Sequence, residues 1–166
     1  MDIIKELKAN NIIKHSDFIL SSGTKSSIYI DMKNIISYPN LNKEICIEIS
    51  KKIKNKKQLI CGAPYGAVSY SSIISVLSDI PMIFLRKEVK KYGTQKLIEG
   101  EYNKGDKVGL IEDVVTTGNS VIEAAKILEK NGLIISQIIA VVSRAEHDLY
   151  YNDIIIEYLF HSTQLT

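Results

Sequence analysis

The chain has 166 residues, 45% hydrophobic and 24% charged, with a formal net charge of +2. That length suits one domain with a real core, and the small, dispersed excess of lysine argues against a nucleic-acid partner. No apolar run reaches the roughly 18 residues of a membrane span, and "MDIIKELKANN" lacks a signal peptide's apolar block, so a cytoplasmic protein without a membrane partner is expected.

In chain order, Ile3, Ile4 and Leu7 fall near helical spacing and predict a first helix. Residues 17–32, "DFILSSGTKSSIYIDM", read as two short strands joined by a turn at Gly23. After Pro39, a stripe of Leu41, Ile45, Ile49 and Ile53 predicts an amphipathic helix. The rhythm then becomes strand and helix in alternation: "QLICGAP", "AVSYSSIISVLS", "PMIFLR", "DKVGLIEDV", "SVIEAAKILEKN" with Gly132 at its C-terminal cap, and "QIIAVVSR". "DIIIEYLFHSTQLT" reads as a last strand with a shortened tail. Short apolar strands alternating with helices imply an α/β fold whose mainly parallel sheet is covered on both faces. The polar, lysine-rich run "KEVKKYGTQKLIEGEYNKGD" is long for a compact domain, which marks a functional or mobile loop or else a solvated hairpin.

Cys46 and Cys61 lie in apolar surroundings without a CxxC pattern and are expected to be buried thiols. His15, His147 and His161 share no ligand spacing, so no structural zinc is expected.

The stretch "VGLIEDVVTTGNSVIEAAKIL", residues 108–128, concentrates the chemistry. An apolar strand ends in two carboxylates, Glu112 and Asp113, and a Thr-Thr-Gly-Asn-Ser turn opens a helix. In an open parallel sheet, ligands lie beyond the carboxyl ends of the strands. The N–H groups of Thr116, Thr117, Gly118, Asn119 and Ser120, with the helix dipole, suit an anion such as phosphate. Paired carboxylates one step away suit hydroxyl groups of a sugar, or Mg²⁺. From this stretch alone, an ordinary capped helix with acids in the preceding loop reads equally well. The Walker and dinucleotide-binding patterns are both missing, which disfavours an ordinary ATPase or dehydrogenase.

"IEDVVTTGNS" resembles the 5-phosphoribosyl 1-diphosphate (PRPP) binding motif of type I phosphoribosyltransferases. "FILSSGTKSSIYIDMKN", "CGAPYGA" and "RKEVKKYGTQKLIEGEYNKGDKVGLIEDV" are similar, in order, to the N-terminal, pyrophosphate-side and mobile-loop segments of orotate phosphoribosyltransferases, most closely to the form that is the N-terminal half of eukaryotic UMP synthase. The resemblance runs from about Phe18 to Arg144. It implies a type I phosphoribosyltransferase fold with an N-terminal hood (residues 1–38) and a lid loop (residues 86–107). It also implies transfer of phosphoribose from PRPP to orotate with Mg²⁺, held mainly through PRPP, in a homodimer.

By the same resemblance, Glu112 to Ser120, including Val114 and Val115, form the PRPP segment, with the acids on the ribose hydroxyls and the turn on the 5′-phosphate. Arg86 and Lys87 match positions that contact the diphosphate. Lys90 matches the lid lysine that reaches the neighbouring subunit's site, and Tyr92 stands where relatives carry histidine or tyrosine. Lys90 and Asp113 are the residues expected to carry catalysis. Tyr29, Ile30, Thr116 and Arg144 match the base site. The chain departs from the pattern at Ser21, where a substrate-contacting lysine is usual and for which Lys25 is a candidate substitute. It departs also at Ser143, where aspartate is usual, and from bacterial relatives at Gly66, where they often carry lysine although the eukaryotic type does not. These losses keep open a PRPP-binding regulatory protein with weak or no transferase activity, or a transferase for another nucleobase. With 166 residues there is no room for a decarboxylase half, so a separate orotidine 5′-monophosphate decarboxylase is the expected partner.

Overall fold

A computed structural model describes residues 1–19, 23, 25–88 and 96–166. The first helix, α1 (Ile3–Ala9), is capped by the Asp2 carboxylate, which accepts from Lys5 N, and it buries Leu7. Strands β1 (Ile13–Ile19) and β2 (Lys25–Ile30) pair antiparallel, with an irregularity between His15 and Phe18. A 3₁₀ helix, Met32–Ser37, follows and buries Met32 and Ile35. Helix α2 (Pro39–Lys52) starts on proline, whose missing N–H costs nothing there, and buries Leu41, Ile45 and Ile49 as the stripe predicts. The remaining elements are β3 (Leu59–Gly62), α3 (Val68–Ser78), β4 (Met82–Leu85), β5 (Ile98–Glu99), β6 (Lys107–Val115), α4 (Asn119–Lys130), β7 (Ile134–Ser143), β8 (Tyr150–Tyr151), β9 (Ile154–His161) and α5 (Ser162–Leu165).

Among the described residues the main sheet has seven strands in the order β5-β4-β3-β6-β7-β9-β8. Its five inner strands are parallel, as expected. The two-residue strands β5 and β8 add antiparallel edges, and neither was expected, because two residues are too short to show a period. The inner strands feed two cores. Ile60, Ile111 and Ile139 pack with α2, α3 and the hood, whereas their neighbours Cys61, Leu110 and Ile138 pack toward α4. That alternation is why these strands read as continuous apolar runs.

Strand β7 begins at Ile134, before the polar Ser136 and Gln137 that mask its start in the sequence. Both polar side chains are satisfied. The Ser136 hydroxyl donates to Val108 O at 3.0 Å, and the Gln137 amide donates to Lys52 O at 2.8 Å while accepting from Lys54 N at 3.1 Å. The last strand ends in one helical turn, α5, which the sequence reading took for tail; His161 caps it by accepting from Thr163 N. In the segment expected as a lid, residues 89–95 lie outside the described residues, while its C-terminal part is fixed. Ile98 is only 2% exposed, and β5 pairs with β4.

Candidate active site

Strands β3, β4, β6 and β7 end along one edge of the sheet. The backbone locks that edge together: Ala63 N donates to Ile111 O and Arg144 N to Val115 O, each at 2.8 Å. Between this edge and the hood lies a cleft of about 570 Å³, within the usual range for small-molecule sites. Tyr29, Ile30, Gly66, Asp113, Thr116 and Arg144 are among the residues on its wall. A second cavity of about 480 Å³ adjoins it and wraps the turn from Glu112 to Ser120.

The turn is built around Gly118, which sits at the N-cap of α4 with φ +82° and ψ 0°. An L side chain resists that left-handed conformation, so glycine suits the position. No side chain caps the helix. The local contact is a long one, from Asn119 N to Thr117 Oγ1 at 3.4 Å. The first turn of a twelve-residue helix therefore presents its backbone donors to the cavity, with Thr116, Thr117, Asn119 and Ser120 exposed around them. The ordinary capped-helix reading would have put a side-chain acceptor there.

The two acids differ sharply. Glu112 is 4% exposed, and its carboxyl is pushed well above the usual carboxylate range, first by burial and then by the neighbouring Asp113. Asp113 reaches into the cleft. Each carboxylate accepts from the next backbone N–H, Glu112 from Asp113 N at 2.9 Å and Asp113 from Val114 N at 2.8 Å, and these bonds fix their orientation. Gly66 approaches from the β3–α3 loop so closely that a side chain there would run into the Asp113 carboxylate.

The hood supplies the opposite wall. Tyr29 is 36% exposed and stacks at 5.4 Å on Phe18, while Ile30 is buried beneath it. Arg144, at the end of β7, donates to Ile28 O at 3.1 Å and to Ser26 Oγ at 2.8 Å. It thereby ties the hood to the sheet and holds a guanidinium at the cleft. A planar anion would find there a flat apolar contact and a fixed cation.

A protein of Methanocaldococcus jannaschii named orotate phosphoribosyltransferase is 39% identical over 144 residues, which cover 87% of this chain and 82% of that one. The chain belongs to the orotate phosphoribosyltransferase family. No protein-family model matches it. The structure of Leishmania donovani UMP synthase superposes with a TM-score of 0.87 and 32% identity, over 99% of this chain and 36% of that one. Orotate phosphoribosyltransferase from Aeropyrum pernix superposes at 0.80 with 23% identity over 98% and 96% of the two chains, a likeness of fold. The type I phosphoribosyltransferase fold expected from the motifs is therefore the fold observed.

Within this orotate phosphoribosyltransferase frame, the predicted residues Tyr29, Ile30, Lys87, Glu112, Asp113, Val114, Thr116, Ser120 and Arg144 converge on the larger cleft. Val115, Thr117, Gly118 and Asn119 line the adjoining cavity. Arg86 lies off the cleft wall, its guanidinium paired with Glu99 at 3.1 Å. Lys90, Tyr92 and Ser21 lie outside the described residues. Among the wall residues outside the predicted site set, Tyr65 and Lys33 carry chemistry. Tyr65, joined to Pro64 by a cis peptide bond, places its ring 5.1 Å from Lys87 Nζ. Lys33 stands on the 3₁₀ helix. Its sequence context, "DMKNII", carries no periodic signal that singles it out. No trio of His, Cys, Asp or Glu forms a metal cage among the described residues. The acids beside the turn nevertheless offer the oxygen chemistry that suits Mg²⁺ carried by a phosphorylated substrate.

Proposed function

We propose that the protein transfers the phosphoribosyl group of PRPP to orotate, giving orotidine 5′-monophosphate and pyrophosphate in pyrimidine biosynthesis. The observation that carries this reading is the uncapped N-terminus of α4 beside the Glu112–Asp113 pair, facing a hood with a stacked tyrosine and a fixed arginine. The 5′-phosphate sits on the backbone donors from Thr116 to Ser120. The ribose hydroxyls meet Asp113, which accepts from them, and Glu112, whose raised pKa lets it donate as well. That places the anomeric carbon in the cleft, with the diphosphate toward Gly66 and Lys87 and orotate between Tyr29 and Arg144.

As the bond to pyrophosphate breaks, positive charge grows on the sugar and negative charge on the leaving group, and the orotate ring nitrogen then bonds to the anomeric carbon. The protein's work is to hold the partners in line, stabilise the departing charge and exclude water. Lys90, matched to the family's lid lysine, supplies a cation for the diphosphate in the partner subunit's site of a homodimer. Mg²⁺, held mainly through PRPP oxygens, would offset part of the diphosphate charge, with Glu112 and Asp113 reached through the ribose. The two free thiols, Cys46 and Cys61, suit a reducing cytoplasm. A separate decarboxylase would consume the product.

The test is base selectivity. Purified protein with PRPP and Mg²⁺ is given orotate, hypoxanthine, guanine or adenine in parallel. Orotate alone should be consumed. Turnover of a purine instead would move the chain to another nucleobase, and saturable PRPP binding without turnover would leave a regulatory protein.

A further inference from the structure

Building on the proposed transfer, we infer that Lys33 is a diphosphate-binding residue that reaches from the hood over Gly66. Its Cε lies 3.2 Å from the point where a Gly66 side chain would begin. Lys33 and Lys87 flank Gly66 and Tyr65 in the shallow cavity that opens from the main cleft, so two cations converge on the loop where the leaving group is placed.

The backbone beneath Lys33 is held firmly. Met32 and Ile35 on either side of it are buried, and the buried Tyr70 hydroxyl donates to Met32 O at 2.8 Å. The acid nearest in the chain is already engaged, since Asp31 accepts from Lys14 at 2.7 Å and from Asn34 at 2.9 Å. Among the described residues no ion pair occupies Lys33. Lys33 is exposed, and its stem lies over Gly66. Here the glycine is needed because Asp113 fills the space, so a cation at this point has to come from another element. Lys25 does not line this cleft.

The experiment measures binding of inorganic pyrophosphate and, separately, of ribose 5-phosphate to the wild type, Lys33→Ala and Lys33→Arg by calorimetry, with thermal melting as the folding control. Loss of one charge-assisted hydrogen bond predicts pyrophosphate binding weaker by roughly tenfold or more in Lys33→Ala. Ribose 5-phosphate binding and melting should be unchanged, and Lys33→Arg should recover most of the loss. Equal pyrophosphate affinities would overturn the assignment. A parallel fall in ribose 5-phosphate affinity would also overturn it, by making Lys33 a charge partner of Asp113. If the wild type binds both ligands but consumes no orotate, the proposed transfer fails while this assignment stands on the pyrophosphate data.

Discussion

Glu112 shows how one position serves a site at a cost to the fold. It lies within β6, buried beside a second acid. Because its folded pKa is raised from 4.5 to about 8, the folded state holds the proton more tightly than the unfolded chain. Its contribution to stability is therefore greatest at low pH and is lost as pH climbs through that window. Glu112→Gln removes the titration but keeps the shape. Melting temperatures measured from pH 5 to pH 9 should fall less steeply in Glu112→Gln than in the wild type. A difference of at least about 2 °C is expected, since ~1 kcal/mol shifts a domain of this size by about 2–4 °C. PRPP affinity should drop in the same variant. Parallel melting curves would show that the carboxyl titrates as it does in the unfolded chain.

At the scale of elements, legibility followed periodicity. The stripe of α2 and the inner strands were readable because burial on one face, or on both, leaves a repeating apolar signal. The turn before α4 was readable as a candidate anion site from its residue types, but its lack of a side-chain cap at Gly118 was not. What stayed hidden is what three-dimensional contacts decide. The edge strands β5 and β8 exist because a neighbour offers unpaired backbone groups. Lys33 gains its meaning only from Gly66, thirty-three positions away in the chain. Arg144 was read as a base contact, and its bonds to Ile28 and Ser26 show it also acting as the latch of the hood. The 3₁₀ helix depends on such a tether too. Tyr70→Phe removes the donor to the buried Met32 carbonyl, a loss of about 1–3 kcal/mol. Its melting temperature should fall by several degrees, and an unchanged value would mean that the 3₁₀ helix is held by apolar burial alone.

For the whole molecule, the residues proposed to meet ribose, phosphate and base line the cleft and its adjoining cavity, while the lid cation is proposed to arrive from a second copy. If so, Lys90→Ala and Asp113→Asn homodimers should each be nearly inactive, and mixing them should restore activity. Random reassociation makes half the dimers mixed, each with one intact site of two, so recovery should approach about a quarter of the wild-type rate. No recovery would place the lid lysine over its own subunit's site.

The central claim is that this single domain exchanges pyrophosphate for orotate on ribose 5-phosphate. The most direct measurement follows orotate absorbance and released pyrophosphate together, with purified protein, PRPP and Mg²⁺. Orotate should disappear in step with pyrophosphate release, one for one, and added pyrophosphate should drive the reaction back. Tight PRPP binding with neither orotate loss nor pyrophosphate release would contradict the account.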